Sequence, residues 1–132
     1  MKHLTLASAL LAATTLLSGC LNDTEANPDE IWQLQSINGA PYSASVTLGL
    51  SSSSYGGQGP CNRYGGQVLD DPKAGTYRLT TPTSTRMACP NASAEALYFS
   101  LLPTVTRAAM TGGSLTLYTS GGTQLRFNRI PG

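Results

Sequence analysis

The sequence predicts an α+β domain that is mostly β, with a twisted antiparallel sheet curled around a single helix. Three observations support this fold class. From Ile31 onward, apolar residues alternate with polar ones, as they do in half-buried strands. Clusters of Gly, Asn, Asp, Pro and Ser separate these stretches, which is typical of turns. Only residues 94–102 carry apolar residues at helical spacing.

The first part of the domain is predicted to contain two strands followed by a loop. The first strand covers residues 31–37 and places Trp32 and Leu34 on one face, and a turn follows at Asn38-Gly39. The second strand carries Val46, Leu48 and Leu50 on its buried face. Residues 56–66 then contain five glycines, a proline and a cysteine, a composition that indicates a shaped loop rather than a strand.

The middle of the domain is predicted to contain two short strands and the helix. Residues 67–69 and 77–81 flank a turn at residues 70–75 and are expected to pair with each other. The helix is predicted to begin after Asn91 or Ser93 as N-cap and to precede Pro103. Its expected apolar face consists of Ala94, Leu97, Tyr98, Leu101 and Leu102.

The last part of the domain is predicted to be a β-meander. Residues 105–110, 114–119 and 124–129 are strand-like and are separated by glycine-containing turns. The last two strands are expected to point their apolar residues to one side, namely Leu115, Leu117, Leu125 and Phe127.

Residues 1–19 have the features of an export signal. Lys2 and His3 precede an apolar segment that is too short to span a bilayer and that ends in Leu17-Ser18-Gly19-Cys20. This ending resembles a bacterial lipobox, in which the cysteine carries acyl chains such as palmitate and becomes the first residue of the mature protein. The alternative is an ordinary signal peptide that happens to contain Cys20.

A lipid anchor at Cys20 would hold the protein on a membrane without spanning it. The next residue is Leu21 rather than aspartate, which by resemblance to bacterial sorting patterns favours the outer membrane, with the domain on its periplasmic face. The acidic, proline-containing segment that follows suits a solvated tether. We therefore expect a signal peptide at residues 1–19, a lipidated cysteine and tether at residues 20–30, and one domain at residues 31–129.

Cys61 and Cys89 remain once Cys20 is assigned to lipid. An exported protein passes through an oxidising compartment, and two cysteines allow only one intramolecular pairing. The sequence therefore predicts a Cys61–Cys89 disulfide. A zinc site at these two cysteines would need two further ligands, and a redox C-x-x-C motif is absent.

Candidate catalytic residues are scarce in the predicted domain. The one histidine is His3 in the leader, which argues against Ser-His-Asp and Cys-His mechanisms and against histidine metal sites. Glu95 is the one acid within the packed region, and we expect it to cap the helix or to pair with Arg63 or Arg86. We predict no catalytic residue, no metal and no cofactor.

A small polar patch provides candidate binding residues. Asn62, Arg63 and Tyr64 follow Cys61 and are expected to be exposed, and Arg86 precedes Cys89 by three positions. Asn62 is also expected to bond nearby backbone groups. The formal net charge of +1 leaves no basic patch, so we predict no nucleic-acid partner.

Several short motifs, taken in order, resemble the META domain of HslJ-like envelope proteins, and the resemblance covers about residues 31–129. The motifs are Trp32-Gln33-Leu34, Ile37-Asn38-Gly39, Cys61-Asn62 with Tyr64 and Gly66, Thr85 with Met87-Ala88-Cys89, Glu95 with Phe99 and Leu102, Leu115-Thr116-Leu117, and Leu125 with Phe127. The resemblance implies a cracked-barrel-like antiparallel fold with one helix and no known catalytic residues. It also implies an association with envelope stress.

These observations together predict a monomeric, non-enzymatic outer-membrane lipoprotein that contributes to envelope integrity or stress tolerance by binding an envelope protein or lipid. The alternative is a pilot or chaperone for a secretion component, because the fold is similar to that of lipoprotein pilots. The alternative requires an apolar groove between the helix and the sheet.

Overall fold

The structure is a computed structural model that describes residues 30–71 and 75–131. The predicted signal peptide, Cys20 and the tether up to residue 29 lie outside the described residues. Residues 72–74 of the predicted turn lie outside them as well. Gly75, at the end of that turn, is described and has a φ of 68°.

Strands make up most of the described chain, together with one α-helix and one short 3-10 helix. The strands are β1 (Ile31–Ile37), β2 (Ala40–Pro41), β3 (Thr47–Leu50), β4 (Ser54–Gln58), β5 (Arg63–Asp71), β6 (Thr76–Leu79), β7 (Thr83–Ser84), β8 (Val105–Thr111), β9 (Ser114–Thr119) and β10 (Gln124–Ile130). The α-helix α1 is Ala92–Leu101, and the 3-10 helix is Leu102–Thr104. No helix in the described ranges is both long and apolar enough to cross a membrane.

The strands form one antiparallel sheet in the order β6-β5-β4-β3-β1-β10-β9-β8, with β2 paired to β1 and β7 paired to β5. The two outer strands, β6 and β8, lie against each other without hydrogen-bonded pairing, so the sheet curls but does not close. The predicted fold class, a mostly β domain with a curled antiparallel sheet and one helix, is confirmed.

The core lies inside the curl and follows the alternation in the sequence. Trp32 and Leu34 of β1 are buried beside Phe127 of β10, which pairs directly with Leu34. The predicted faces of the meander are confirmed, because all four of their apolar residues are buried. The Asn38-Gly39 turn is also confirmed: both residues have positive φ values, 52° and 79°, which a tight two-residue hairpin turn requires.

Residues 56–66 are not the irregular loop that their composition indicates. They lie mostly in β4 and β5, and the connecting loop is limited to residues 59–62. The glycines permit close approach rather than a turn: a Cβ on Gly57 would overlap the carbonyl of Thr47, and one on Gly56 would lie 2.8 Å from the carbonyl oxygen of Tyr64. The short strand predicted at residues 67–69 is therefore the end of the longer β5.

Helix α1 confirms the predicted element and most of its apolar face, since Tyr98 and Leu102 are fully buried and Ala94 and Leu101 are half-buried. It begins two positions before the predicted first apolar residue, with Asn91 at the N-cap position but without a side-chain capping bond. Leu97, predicted to be buried, is 52% exposed. Glu95 and Tyr98 are the buried residues of the helix. The side chain of Glu95 accepts hydrogen bonds from the β4–β5 loop, which are described below.

Candidate functional site

The loop between β4 and β5, residues 59–62, carries the first cysteine of the predicted pair. Cys61 and Cys89 are joined by a disulfide bond, with their Cα atoms 5.9 Å apart. The backbone N–H of Gly59 donates to the carbonyl of Asn62 at 2.7 Å and closes the loop on itself. The disulfide thereby connects the tip of the β4–β5 hairpin to the segment that leads into α1.

Glu95 connects the helix to the same loop. Its Oε2 accepts the backbone N–H of Cys61 at 2.8 Å and that of Asn62 at 2.7 Å. Its Oε1 accepts the side-chain amide of Asn62 at 2.6 Å. The expectation that Glu95 pairs with Arg63 or Arg86 is therefore wrong, although its place in the first helical turn is as predicted. Backbone and amide donors bind the carboxylate where an arginine was expected.

Asn62 is buried and its side chain uses its full bonding capacity. Its amide nitrogen donates to Glu95 and to the carbonyl of Met87 at 3.2 Å. Its side-chain oxygen accepts the N–H of Met87 at 2.6 Å and the hydroxyl of Thr85 at 2.9 Å. We call these five residues, Cys61, Asn62, Thr85, Met87 and Glu95, the Asn62–Glu95 network. The expectation that Asn62 bonds nearby backbone is consistent with these contacts.

Gly59 provides the space that the Asn62–Glu95 network needs. A Cβ at this position would lie 2.9 Å from Oε2 of Glu95 and 3.3 Å from the ring of Phe99. Such a contact would force the carboxylate or the ring to move. The glycine at the start of the loop is thus a packing requirement of the network.

A group of tyrosines holds the other buried residue of the helix. Tyr98 is fully buried, and its hydroxyl lies 2.6 Å from that of Tyr64. Tyr64 donates its single hydroxyl proton to the carbonyl of Thr47 at 2.7 Å, so Tyr98 is the donor to Tyr64. The two rings meet edge to face with centroids 5.5 Å apart. Tyr64 of β5 and Tyr98 of α1 thereby connect the sheet to the helix within the core.

These tyrosine hydroxyls act as hydrogen-bond donors at neutral pH. Burial raises the pKa of Tyr98 and of Tyr64 well above the ordinary value, and it raises the pKa of Tyr55 to about 12. Tyr55 donates to the carbonyl of Thr80 at 2.6 Å. Their protonated state suits a structural role and opposes a phenolate nucleophile.

The four candidate binding residues divide into two groups. The expectation that Asn62 and Tyr64 are exposed is wrong, because both are buried. The side chain of Asn62 is hydrogen-bonded within the Asn62–Glu95 network, and Tyr64 connects the sheet to the helix through Tyr98. Arg63 and Arg86 are exposed. Of this group, the arginines are therefore the side chains that face solvent.

Arg63 and Tyr64 line two adjoining recesses. One, of about 500 Å³, is lined by Thr47, Gly56, Gly57, Gln58, Arg63 and Tyr64. The other, of about 310 Å³, is lined by Arg63, Tyr64, Gly65, Thr83, Ser84 and Thr85. The glycines of both recesses are packed against the carbonyls of neighbouring strands, and neither recess is lined by a carboxylate. The recesses therefore offer hydroxyl, amide and guanidinium groups to a ligand.

The described residues contain no cluster of His, Cys, Asp or Glu that could hold a metal ion. Within them, Cys61 and Cys89 are bonded to each other, and the buried carboxylate of Glu95 is occupied by three donors. Sequence reasoning missed the role of Glu95 and the burial of Asn62. The relevant sequence signal is the Cys61-Asn62 pair together with an acid in the first turn of the helix. This signal can be interpreted only once the β4–β5 hairpin is known, because the hairpin brings the pair to the helix.

Fold and site together define a small antiparallel β domain with one helix, fixed to a hairpin loop by a disulfide and a buried carboxylate. The chain belongs to the META domain family, which it matches over residues 25–131.

Two solved structures show similar folds. One is an NMR structure of a protein from Burkholderia xenovorans, with 26% identity and a TM-score of 0.63 over 86% of this chain and 94% of that one. The other is a crystal structure of a DUF4847 family protein from Bacteroides vulgatus, with 13% identity and a TM-score of 0.59 over 79% of this chain and 94% of that one. A comparison with curated proteins finds no match.

Proposed function

We propose that this chain is an outer-membrane lipoprotein, anchored through Cys20 with its META domain facing the periplasm, and that it supports envelope integrity or stress tolerance by binding rather than by catalysis. The lipobox-like ending of the leader and the acidic tether support the anchor. Membership of the META domain family supports the envelope setting.

The saturation of the Asn62–Glu95 network is the observation that favours binding over catalysis. Glu95 is the buried carboxylate of the described domain, and a general acid or base must be free to exchange a proton with substrate. Here both carboxylate oxygens of Glu95 accept hydrogen bonds from the loop. The side-chain amide of Asn62, which faces the carboxylate, also has all its donors and acceptors in use. The best-positioned acid of the domain therefore has a structural task.

The recesses around Arg63 are the binding surface that we propose. An exposed guanidinium next to uncharged hydroxyl and amide groups suits a ligand with an anionic group, such as a phosphate or a carboxylate. An envelope lipid or an acidic segment of an envelope protein would carry this chemistry.

Charge reversal at Arg63 tests the binding surface. Crosslinked membranes from cells that make the Arg63→Glu protein should yield about tenfold less of the components that co-purify with the wild type, because like charges repel across an interface. Arg126→Glu is the matched control, since Arg126 is also exposed but lies on β10, away from the recesses. Equal loss in both variants, or no loss in either, would contradict the assignment of the surface.

Removal of the lipidated thiol tests the anchor. The Cys20→Ser protein should leave the membrane fraction and appear in the soluble periplasmic fraction, because its acyl chains are lost. Intact mass of the wild type should show the added acyl groups. Unchanged fractionation together with an unmodified mass would rule out the lipoprotein assignment.

The alternative function, a pilot or chaperone, requires an apolar groove between helix and sheet. In the described interface, Tyr98 is fully buried against Tyr64, and the ring of Phe99 lies 5.2 Å from that of Tyr64. These rings fill the space beneath the helix at this position. The filled interface favours the recesses around Arg63 as the place where a partner binds.

A further inference from the structure

The curled sheet has two ends with different surroundings. Strands β1, β4, β6 and β9 begin at one end, and their antiparallel neighbours β3, β5, β8 and β10 end there. We call this the lower end. The loop at residues 59–62 lies at the opposite, upper end, between the end of β4 and the start of β5. Helix α1 is attached to that loop through Glu95.

Exposed large apolar residues of the described chain divide between the two ends. At the lower end, Ile31 is 40% exposed at the start of β1, Leu69 is 52% exposed near the end of β5, and Met110 is 54% exposed near the end of β8. At the upper end, Met87 contacts Asn62, and Leu97 lies on α1.

Strand pairing adds a fourth apolar side chain to the lower group. Ile31 pairs directly with Ile130 of β10. Only β6 separates the strand of Leu69 from the strand of Met110, because β6 pairs with β5 and lies against β8. Leu69 is paired with the exposed Arg78 of β6. We define the lower rim as Ile31, Leu69, Met110 and Ile130.

The lower rim is also where the chain arrives from its proposed anchor. The described chain starts at Glu30, one residue before β1, and Glu30 forms an ion pair with Arg129 of β10 at 3.4 Å. Ten residues lead from Cys20 to Glu30, so even a fully extended tether spans at most about 35 Å. The attachment point of the tether thus belongs to the end that carries the apolar rim.

We propose that the lower rim rests on the lipid bilayer, so that the recesses and the helix at the upper end point into the periplasm. This inference rests on the proposed lipid anchor at Cys20. Apolar side chains flanked by an arginine suit the interfacial zone, where carbon contacts acyl chains and the guanidinium contacts lipid phosphate. Asp70 and Asp71 end β5 at the same rim, which favours a mainly zwitterionic surface over an anionic one.

Two native methionines provide a matched pair of probes. Beyond the initiator Met1, the sequence contains Met87 at the upper end, 66% exposed, and Met110 at the lower rim, 54% exposed. The acylated full chain is attached to phosphatidylethanolamine and phosphatidylcholine vesicles and treated briefly with hydrogen peroxide. The reference is the Cys20→Ser protein without vesicles. Peptide mass spectrometry then gives the ratio of Met110 to Met87 oxidation.

We expect the ratio of Met110 to Met87 oxidation to fall about threefold or more on attachment, because oxidation follows exposure. An unchanged ratio in protein that co-sediments with the vesicles would overturn the orientation while leaving the anchor intact. A missing acyl mass would instead refute the anchor itself. Protection of Met110 without vesicles that grows with protein concentration would assign the rim to a second copy of the chain and overturn the membrane contact.

A second measurement uses two leucines of equal exposure. Leu69→Trp and Leu97→Trp each place an indole at a site that is 52% exposed, and the signal of the buried Trp32 is subtracted with the wild type. In vesicles of acyl-chain-brominated lipid, we expect fluorescence quenching at position 69 at least about twice that at position 97, since indoles settle in the interfacial zone. Equal quenching at both sites would contradict the proposed orientation.

Discussion

Replacing Glu95 by alanine should lower the free energy of unfolding by about 3 kcal/mol or more, because each buried donor left without an acceptor costs roughly 1–3 kcal/mol. Three donors lose their acceptor: the N–H groups of Cys61 and Asn62 and the side-chain amide of Asn62. Urea unfolding followed by circular dichroism gives the value directly. The exposed ion pair between Glu30 and Arg129 supplies the control, since Glu30→Ala should cost less than about 1 kcal/mol.

The isosteric variant separates charge from shape. In Glu95→Gln, an amide oxygen can still accept the two backbone N–H groups, but the new NH₂ group faces the NH₂ group of Asn62. Rotation of the Asn62 amide would relieve that clash only by breaking its bonds to Thr85 and Met87. We therefore expect Glu95→Gln to be destabilised as well, though less than Glu95→Ala. A loss for Glu95→Ala no larger than that of Glu30→Ala would refute the structural role of the carboxylate.

The strands were predictable because their signal is local. Alternation in residues 31–37 and in the last three strands determines which side chains are buried, and the structure places those elements within a residue or two of the prediction. Turn residues such as Asn38-Gly39 adopt the positive φ values that their types favour. Each of these features depends on neighbours in the sequence, so one sequence suffices to read them.

The glycines of residues 56–66 misled the prediction because their reason is not local. Gly57 is required by the carbonyl of Thr47 on the next strand, and Gly66 by the ring of Tyr55 and the side chain of Thr80. A glycine that makes room for a neighbouring strand looks the same in the sequence as a glycine that makes a turn. Only the sheet register distinguishes the two cases.

The burial of Leu97 was mispredicted for a related reason, although Tyr98 and Leu102 of the predicted face are buried. Apolar spacing places Leu97 in the core, yet the buried carboxylate of Glu95 receives bonds from the loop thirty-odd positions earlier in the chain. Those charge-assisted bonds require the acid to face inward, and Leu97, two positions later and therefore on nearly the opposite side of the helix, faces solvent. A polar network of this kind contradicts hydrophobic patterning, and the pattern alone offers no sign of it.

Removing the disulfide should cost about 3.5 kcal/mol, the loop-closure entropy expected for a sequence separation of 28 residues. Cys61→Ala with Cys89→Ala isolates this effect well, because both cysteines are only partly buried and their sulfur atoms contribute little to the core. The Asn62–Glu95 network still ties the same loop to the helix in this variant, so we expect it to fold but to unfold at lower urea concentration.

Reduced wild-type protein is the control for the disulfide, and its urea midpoint should match that of the double-alanine variant. Agreement would assign the loss to the crosslink rather than to the replaced atoms, because the reduced protein retains both side chains. Intact mass of the exported protein after alkylation should show no free thiol at Cys61 or Cys89 unless reductant is added. Two alkylated thiols without reductant, or a loss well under about 1 kcal/mol, would show that the bond does not stabilise the mature domain.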